Sequence, residues 1–402
     1  MRREIFEIYS EVSRKKGYLN VMIQNSDKIT PQMTNILYQT VRNQLLIDYI
    51  IESKVGKSKI KSKTRDILRL GACEILLTKN KAAFAIVNDW VEISKECTNQ
   101  FEANKVNSIL RNLIDISIED EVIKIKNKKK QISIKYSIPS ELLEYLQKKN
   151  GIQGVQTMTK IMENKIINYA RINRKLVDNI KLLLNELEEY SPRLIEEFII
   201  EYKGDITQSN AFKEGKLYIQ NISAYMAFEK GIFKKSNMKV MDMCGAPGGK
   251  TSHIYDQLTG NNSIVINEIN ENKNKKIHNN LERQKIKNYS ITNLNALNLV
   301  EEYGSDSFDI VVLDTPCSGL GVVGHKPDIK YSMTKDKIDT LVELQKKLID
   351  VAVKLIKPGG FLVYSTCTIN RMENQEITNK FNVIEEDLLT ISDGFYYAVI
   401  VK

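Results

Sequence analysis

The stretch Lys239–Thr251, KVMDMCGAPGGKT, decides how this chain is read. Val240 to Met243 is a short apolar run that predicts a buried strand. Pro247 cannot sit in a central strand, and Gly245, Gly248 and Gly249 permit tight turns and close backbone approach. A helix is expected from about Lys250. A strand, a glycine-rich turn and a helix N-terminus make a site for an anionic group, because unpaired N–H groups and the helix dipole point into the turn. The unit is the first βα element of a doubly wound α/β sheet, where nucleotide-like ligands bind. The pattern G-x-G-x-x-G is absent, so a nicotinamide dinucleotide is not favoured.

Downstream, strands and helices alternate. Strands are expected at Ser263–Ile269, Ser290–Leu294, Asp309–Leu313 and Phe361–Thr366. Helices are expected at Glu271–Gln284 and Asp336–Ile356, the second stopped by Lys357-Pro358-Gly359-Gly360. This alternation requires a mostly parallel sheet with helices on both faces. Gly394–Val401, rich in aromatic and β-branched residues, is expected as an antiparallel strand at the edge. In such a sheet ligands lie beyond the carboxyl ends of the strands. Asp242, Glu268, Asn295, Asp314-Thr315-Pro316-Cys317 and Thr366-Cys367 all fall there.

Upstream, the first third is helical in period. Ile5, Ile8 and Val12 share a face, and Thr30-Pro31 sets an N-cap and a first-turn proline. Ile36, Leu37, Val41, Leu45 and Tyr49 continue the stripe. Asp66–Leu77 is apolar on most sides and predicts a central buried helix. Two more are expected at Ala82–Ser94 and Asn104–Leu113. Cys73, Cys97 and Trp90 read as core. The lysine-rich run Ile123–Tyr136 reads as a solvent-exposed linker or a backbone contact to RNA. A small α+β region follows, with a helix at Ser140–Lys149, a strand at Ala170–Asn173 and a helix at Lys175–Glu189 broken by Ser191-Pro192. A strand at Gly215–Gln220 and a helix at Asn221–Lys230 are expected to lead into the large sheet.

Length and composition agree with several domains: 402 residues, 42% hydrophobic, support more than one core. The net charge of +9 leans toward a polyanionic partner. Five irregularly spaced cysteines form no disulfide framework, and without a C-x-x-C pair no zinc site is expected. No apolar run is long enough for a signal peptide or a membrane span, so free thiols in a cytoplasmic protein are expected, with no membrane contact. Nothing requires more than a monomer.

Two cysteines at adjacent strand ends fit a specific chemistry. Carbon 5 of a pyrimidine is too weak a nucleophile to take a methyl group unaided. A thiolate adding at C6 makes the ring an enamine whose C5 can attack a sulfonium methyl, after which the C5 proton leaves and the thiolate is eliminated.

Four segments carry a resemblance: MDMCGAPGGKT (241–251), LDTPCSGLGVV (313–323), KPDIKY (326–331) and YSTCTINRMENQ (364–375). They resemble the motifs of the RNA cytosine-C5 methyltransferases that use S-adenosylmethionine. IKSKTRDILRLGACEILL, AFAIVNDWVEISK and ANKVNSILRNL resemble the NusB-type RNA-binding domain, which narrows the likeness to the Sun/Fmu (RsmB) type acting on small-subunit ribosomal RNA. The final DGFYYAVIVK is similar to that family's last strand.

The resemblance implies a Rossmann-like α/β methyltransferase domain with a seven-stranded, mostly parallel sheet at 214–402. An all-α NusB-like bundle at 1–125 and a small α+β linker domain at 126–213 would precede it. It implies S-adenosylmethionine as cofactor and ribosomal RNA as partner, with transfer RNA or a non-catalytic assembly role as alternatives. The cofactor loop falls on Cys244, Gly245, Ala246, Pro247, Gly248, Gly249 and Lys250. The ribose acid falls on Glu268, the adenine contact on Asn295 and the motif-four acid on Asp314. The nucleophile falls on Cys367, and Cys317 is expected to assist release. Lys250 and Asp314 would also face the target cytosine, while Cys244 lines the loop without chemistry. Arg2, Arg3 and Arg42 are expected to meet phosphates.

The chain departs from the family in having Asn295 where Asp is usual. It also has Gly324-His325-Lys326-Pro327-Asp328 where two arginines commonly precede the Pro-Asp, which weakens phosphate clamping. The stretch 379–393 is shorter than is typical.

Overall fold

The computed structural model describes residues 1–15, 19–24, 26, 29–55, 59–78 and 83–402. They form two compact units, Met1–Lys148 with Val323–Thr334, and Lys149–Val322 with Lys335–Lys402.

The first unit is helical, with helices at Arg2–Lys15, Pro31–Arg42, Gln44–Val55, Ser62–Cys73, Ala83–Cys97 and Gln100–Arg111 among its elements. The Thr30 side chain accepts from Met33 N, and Pro31 opens the helix. The stripe expected to run on to Tyr49 breaks at Asn43, which caps one helix before the next begins. The phase resets there, so Leu46, Ile47, Ile50 and Ile51 turn inward rather than Leu45. Ser62–Cys73 is central. A Cβ at Gly71 would lie 2.7 Å from Leu110 Cδ1, so glycine lets the neighbouring helix pack closely. Trp90 is buried and its Nε1 donates to Glu74 at 2.8 Å. Cys73 is buried, and burial pushes its thiol up to about 12. Cys97 is half-buried at the rim of the core. Ala82, expected to open a helix, lies outside the described residues.

Two expectations here are corrected. Arg2 is buried, its guanidinium forked onto both Glu74 oxygens at 2.8 Å and paired with Asp89, so it does not face phosphate. Arg42 donates to Gly324 O at 2.7 Å, and burial lowers its pKa; it too is committed within the protein. Arg3 remains exposed, beside Glu7 and Glu96. The lysine-rich run is solvent-exposed at Lys124, Lys126, Lys128, Lys130 and Lys135 as expected, and part of it is helical, Asn127 capping a helix at Lys128–Lys135. The segment Val323–Thr334 belongs to this unit. Lys330 is wholly buried there and donates to Arg42 O at 2.7 Å and Tyr136 O at 3.1 Å, while Tyr331 packs against the helical core.

The second unit holds two sheets. The helix expected at Ser140–Lys149 runs on to Glu163 across a break at Gly151 (φ 67°). Strands β1 (Asn168–Ile172), β2 (Arg193–Glu196), β3 (Ile199–Tyr202) and β4 (Leu217–Ile219) form an antiparallel sheet in the order β2-β3-β1-β4. The expected helix at Lys175–Glu189 shortens to Ile180–Glu186 and a 3-10 turn, Glu188–Tyr190. β4 and the helix Ile222–Phe228 lead toward the large sheet as expected, while β4 itself pairs with β1.

The large sheet comprises β5 (Lys239–Asp242), β6 (Ser263–Asn267), β7 (Tyr289–Thr292), β8 (Phe308–Asp314), β9 (Ile356–Thr366), β10 (Val383–Leu389) and β11 (Phe395–Val401). Its order is β7-β6-β5-β8-β9-β11-β10. β5 to β9 run parallel; β11 is antiparallel to β9, and β10 to β11. β11 is thus antiparallel as expected but interior, because β10 covers its outer side. The order reverses direction beside β5, between β6 on one flank and β8 on the other, and the crevice at that switch point is where ligands bind in such sheets.

Candidate active site

β5 is buried at Val240, Met241 and Asp242 and delivers the chain to the loop 243–248. Gly248 adopts φ 95°, a left-handed conformation that glycine tolerates best. A Cβ at Gly245 would lie 2.3 Å from Ile266 Cγ2, so the loop lies flat against β6. Gly245 N donates to Asn267 O at 3.0 Å, and Asn280 Nδ2 to Pro247 O at 2.9 Å, fixing both ends. The helix Gly249–Gln257 follows, and the first N–H groups of a helix have no partner within it.

Lys250 projects from that helix to Asp314 at the end of β8, Nζ to Oδ2 2.5 Å. Asp314 Oδ1 accepts from Ser365 Oγ on β9 at 2.8 Å. Burial opposes charge on Lys250, but the Asp314 carboxylate outweighs it and holds the ammonium above its ordinary range, with the Cys367 sulfur a further contributor. Behind them Asp242 is buried and accepts from Thr251 Oγ1 at 2.6 Å. Burial pushes its carboxyl up to about 6 against that hydrogen bond.

Cys317 and Cys367 meet, their Sγ atoms 3.3 Å apart across 50 residues of chain. The Cys317 pKa is raised well above the usual thiol range by its hydrogen bond to Cys367 and by burial. Gly321 N donates to Cys367 O at 3.0 Å, and a Cβ at Gly321 would sit 1.9 Å from Gly394 O; only glycine fits this crossing. Cys244 is half-buried in the glycine loop, its thiol pushed up to about 12 by burial and by Asp242, Asp314 and Glu268.

Glu268 follows β6; its Oε1 accepts from Asn270 N at 3.0 Å and Lys273 Nζ at 3.2 Å. Asn295 follows β7 exposed, its Oδ1 capping a short turn by accepting from Leu297 N at 3.1 Å. That occupies its oxygen and leaves Nδ2 to donate. Sequence reasoning missed two buried residues. Asn267 binds Met243 O and Leu294 O through Nδ2, tying the ends of β5, β6 and β7 together. Glu373 accepts from both cysteine-bearing loops. Neither breaks a local pattern, so only the pairing of distant segments reveals them.

The parallel sheet, the glycine loop at its switch point and an acid at the end of the next strand define a class, the Rossmann-like S-adenosylmethionine methyltransferases. The 16S rRNA methyltransferase RsmB/F family matches residues 232–395, and the NusB family matches residues 1–115. The ribosomal RNA small subunit methyltransferase B of Vibrio vulnificus is 30% identical over 294 residues, 67% of each chain. A probable ribosomal RNA small subunit methyltransferase B of Bacillus subtilis is 27% identical over 391 residues, 93% of this chain and 86% of that one. The crystal structure of PH0851 shares the fold with a TM-score of 0.79 at 24% identity, covering 100% of this chain and 98% of that one. The chain therefore belongs to the RsmB/F family of ribosomal RNA methyltransferases, behind a NusB domain, and its cofactor is S-adenosylmethionine. Among the described residues no helix is long and apolar enough to cross a membrane.

Proposed function

We propose that this enzyme methylates carbon 5 of a cytosine in small-subunit ribosomal RNA through a transient bond between Cys367 and C6 of the base. The observation that carries the reading is the meeting of two sulfurs at 3.3 Å, on the strand ends next to the Lys250–Asp314 pair.

The residues fit the cofactor. A ligand carrying a carboxylate and a vicinal diol matches a helix start whose first N–H groups have no partner within the helix, with a carboxylate one strand away. Residues Cys244 to Lys250 would line it, with Glu268 at the ribose hydroxyls, Asn295 Nδ2 at the adenine edge and Asp314 alongside. When bound, the cofactor supplies an electrophilic methyl group on sulfonium sulfur.

Cys367 as thiolate adds to C6, and the electron pair of the C5–C6 bond moves toward C5 and the ring carbonyl system. The Lys250 ammonium lies where it favours negative charge on Cys367. Lys250 and Asp314 offer a donor and an acceptor to the cytosine's polar edge, stabilising the charge that develops on the ring. After C5 is methylated its proton must leave. Cys317 is in place to assist that release: its sulfur lies 3.3 Å from that of Cys367, and once Cys367 is bonded to C6 the Cys317 thiol can give its own proton to solvent and take the C5 proton. As the proton leaves, the C5–C6 double bond re-forms and the Cys367 thiolate is expelled.

Cys367→Ala is expected to abolish methyl transfer while S-adenosylmethionine binding by calorimetry persists; turnover at the wild-type rate would overturn the assignment. Cys317→Ala is expected to trap a covalent protein–RNA species, visible as a slow band on a denaturing gel. Bisulfite mapping of ribosomal and transfer RNA, from cells with and without the protein, identifies the substrate.

A further inference from the structure

We propose that Glu373 is a positioning residue that holds the Cys317 loop against the Cys367 loop, so that release keeps pace with methyl transfer; this rests on the two-cysteine reading above. Glu373 closes a 3-10 turn, Arg371–Glu373, and is fully buried. Its Oε1 accepts from Ser318 N at 2.7 Å and Gln345 Nε2 at 3.2 Å. Its Oε2 accepts from Ser318 Oγ at 2.6 Å, Asn370 Nδ2 at 2.9 Å and Thr368 Oγ1 at 3.4 Å. Ser318 follows Cys317 and Thr368 follows Cys367, so one carboxylate binds the immediate neighbours of both sulfurs. The two hydroxyls also lie 2.8 Å from each other. Gln345 Nε2 donates in addition to Pro316 O at 2.8 Å, securing the other side of Cys317.

A carboxylate is required by this set of donors. Every group around it presents a hydrogen, and a glutamine would turn an N–H₂ against one of them. A buried carboxylate is expensive to dehydrate unless its oxygens are filled with donors, as they are here. Within the Cys367 loop a different residue does the local work: Asn374 accepts from Thr366 Oγ1 at 2.6 Å and donates to Thr368 O at 2.9 Å. Asn374 shapes one loop, whereas Glu373 joins two. The negative charge of Glu373 also contributes, after Cys367 and burial, to the raised pKa of Cys317.

The test measures the sulfur pairing apart from catalysis. Diamide oxidises two adjacent thiols to a disulfide, its N=N bond taking up both thiol hydrogens as the S–S bond forms. In the wild-type enzyme the Cys317–Cys367 disulfide, followed by peptide mass mapping, should close rapidly; in Glu373→Gln, roughly tenfold more slowly or worse, because proximity is lost. With RNA and S-adenosylmethionine present, Glu373→Gln should also accumulate the covalent protein–RNA band seen for Cys317→Ala, with cofactor affinity unchanged. Closure at the wild-type rate in a folded variant overturns the proposal, as does loss of cofactor binding together with adduct formation, which would mark a residue that merely supports the fold. If Cys317→Ala traps no adduct while Glu373→Gln still slows closure, the two-cysteine chemistry falls and the positioning role stands. Should Glu373→Gln not fold, Ser318→Ala, which removes one hydroxyl donor and keeps the backbone one, should slow closure in the same direction, and an unchanged rate there overturns the proposal.

Discussion

The helix Gly249–Gln257 carries an ion pair at each end, and the two differ in kind. At its start Lys250 meets Asp314 with side chains 28% and 21% exposed. Near its close Asp256 meets Arg171 of β1, with side chains 2% and 1% exposed. Arg171 is also satisfied by Gln220 at 3.0 Å and Ser252 Oγ at 2.8 Å. In the accessible pair attraction exceeds dehydration, and the Lys250 pKa rises. In the buried pair dehydration exceeds attraction, and the Asp256 pKa rises despite Arg171. The buried pair locks the helix to the small sheet and is closed to any ligand, whereas the accessible pair sits at the strand ends.

Breaking the buried pair should therefore have the larger effect on stability. Arg171→Met leaves Asp256 uncompensated in the interior and should lower the unfolding free energy by about 3–5 kcal/mol in urea denaturation. Arg171→Met with Asp256→Leu should recover most of that, since the loss comes from the stranded charge. If the double variant is as unstable as the single, the pair is not what locks the helix.

Lys250→Met should show the opposite profile. Stability should change by less than about 1 kcal/mol, because a partly exposed pair is screened by solvent. Methyl transfer at saturating RNA should fall by about 10²–10³-fold, the usual consequence of removing one preorganised charge from a reacting centre. A Lys250→Met enzyme that unfolds as easily as Arg171→Met, or turns over normally, would erase the distinction between the two ends of the helix.

The same contrast explains which parts were legible beforehand. The glycine loop, Lys250, Glu268 and the two Cys-bearing turns follow short-range rules: an apolar run, then a turn residue, then a polar group at a strand end. Residues whose role is set by a partner far along the chain were not legible. Arg2 looked like a surface cation until its partner Glu74, 72 positions away, folded against it. Glu373 drew no reading of its own, because its partner Ser318 lies 55 positions away. β10 escaped notice because its sequence, VIEEDLL, is mostly exposed and has no buried face to set a period of two. β4 was legible as a strand but its partner β1 was not, because its period names a strand and not its neighbour. Asn43 ended a helix through its cap rather than through glycine or proline, so the stripe seemed continuous.

Asp242 offers the finest test, since it lies directly behind the accessible pair and yet is buried like the inaccessible one. Its folded pKa is raised from 3.8 to about 6, chiefly by burial and further by Asp314, with Thr251 opposing. The folded state thus holds this proton more tightly than the unfolded chain. The stabilisation it brings is complete below the unfolded value and disappears as pH rises through the folded one. Asp242→Asn keeps the shape and cannot ionise, so it is immune to that loss. The stability of Asp242→Asn relative to wild type should therefore increase by about 1 kcal/mol between about pH 5 and about pH 7. Paired urea titrations at the two pH values measure this difference directly. A difference that stays flat would mean that Asp242 keeps an ordinary carboxylate pKa, and that water from the cofactor crevice reaches it as it reaches Lys250.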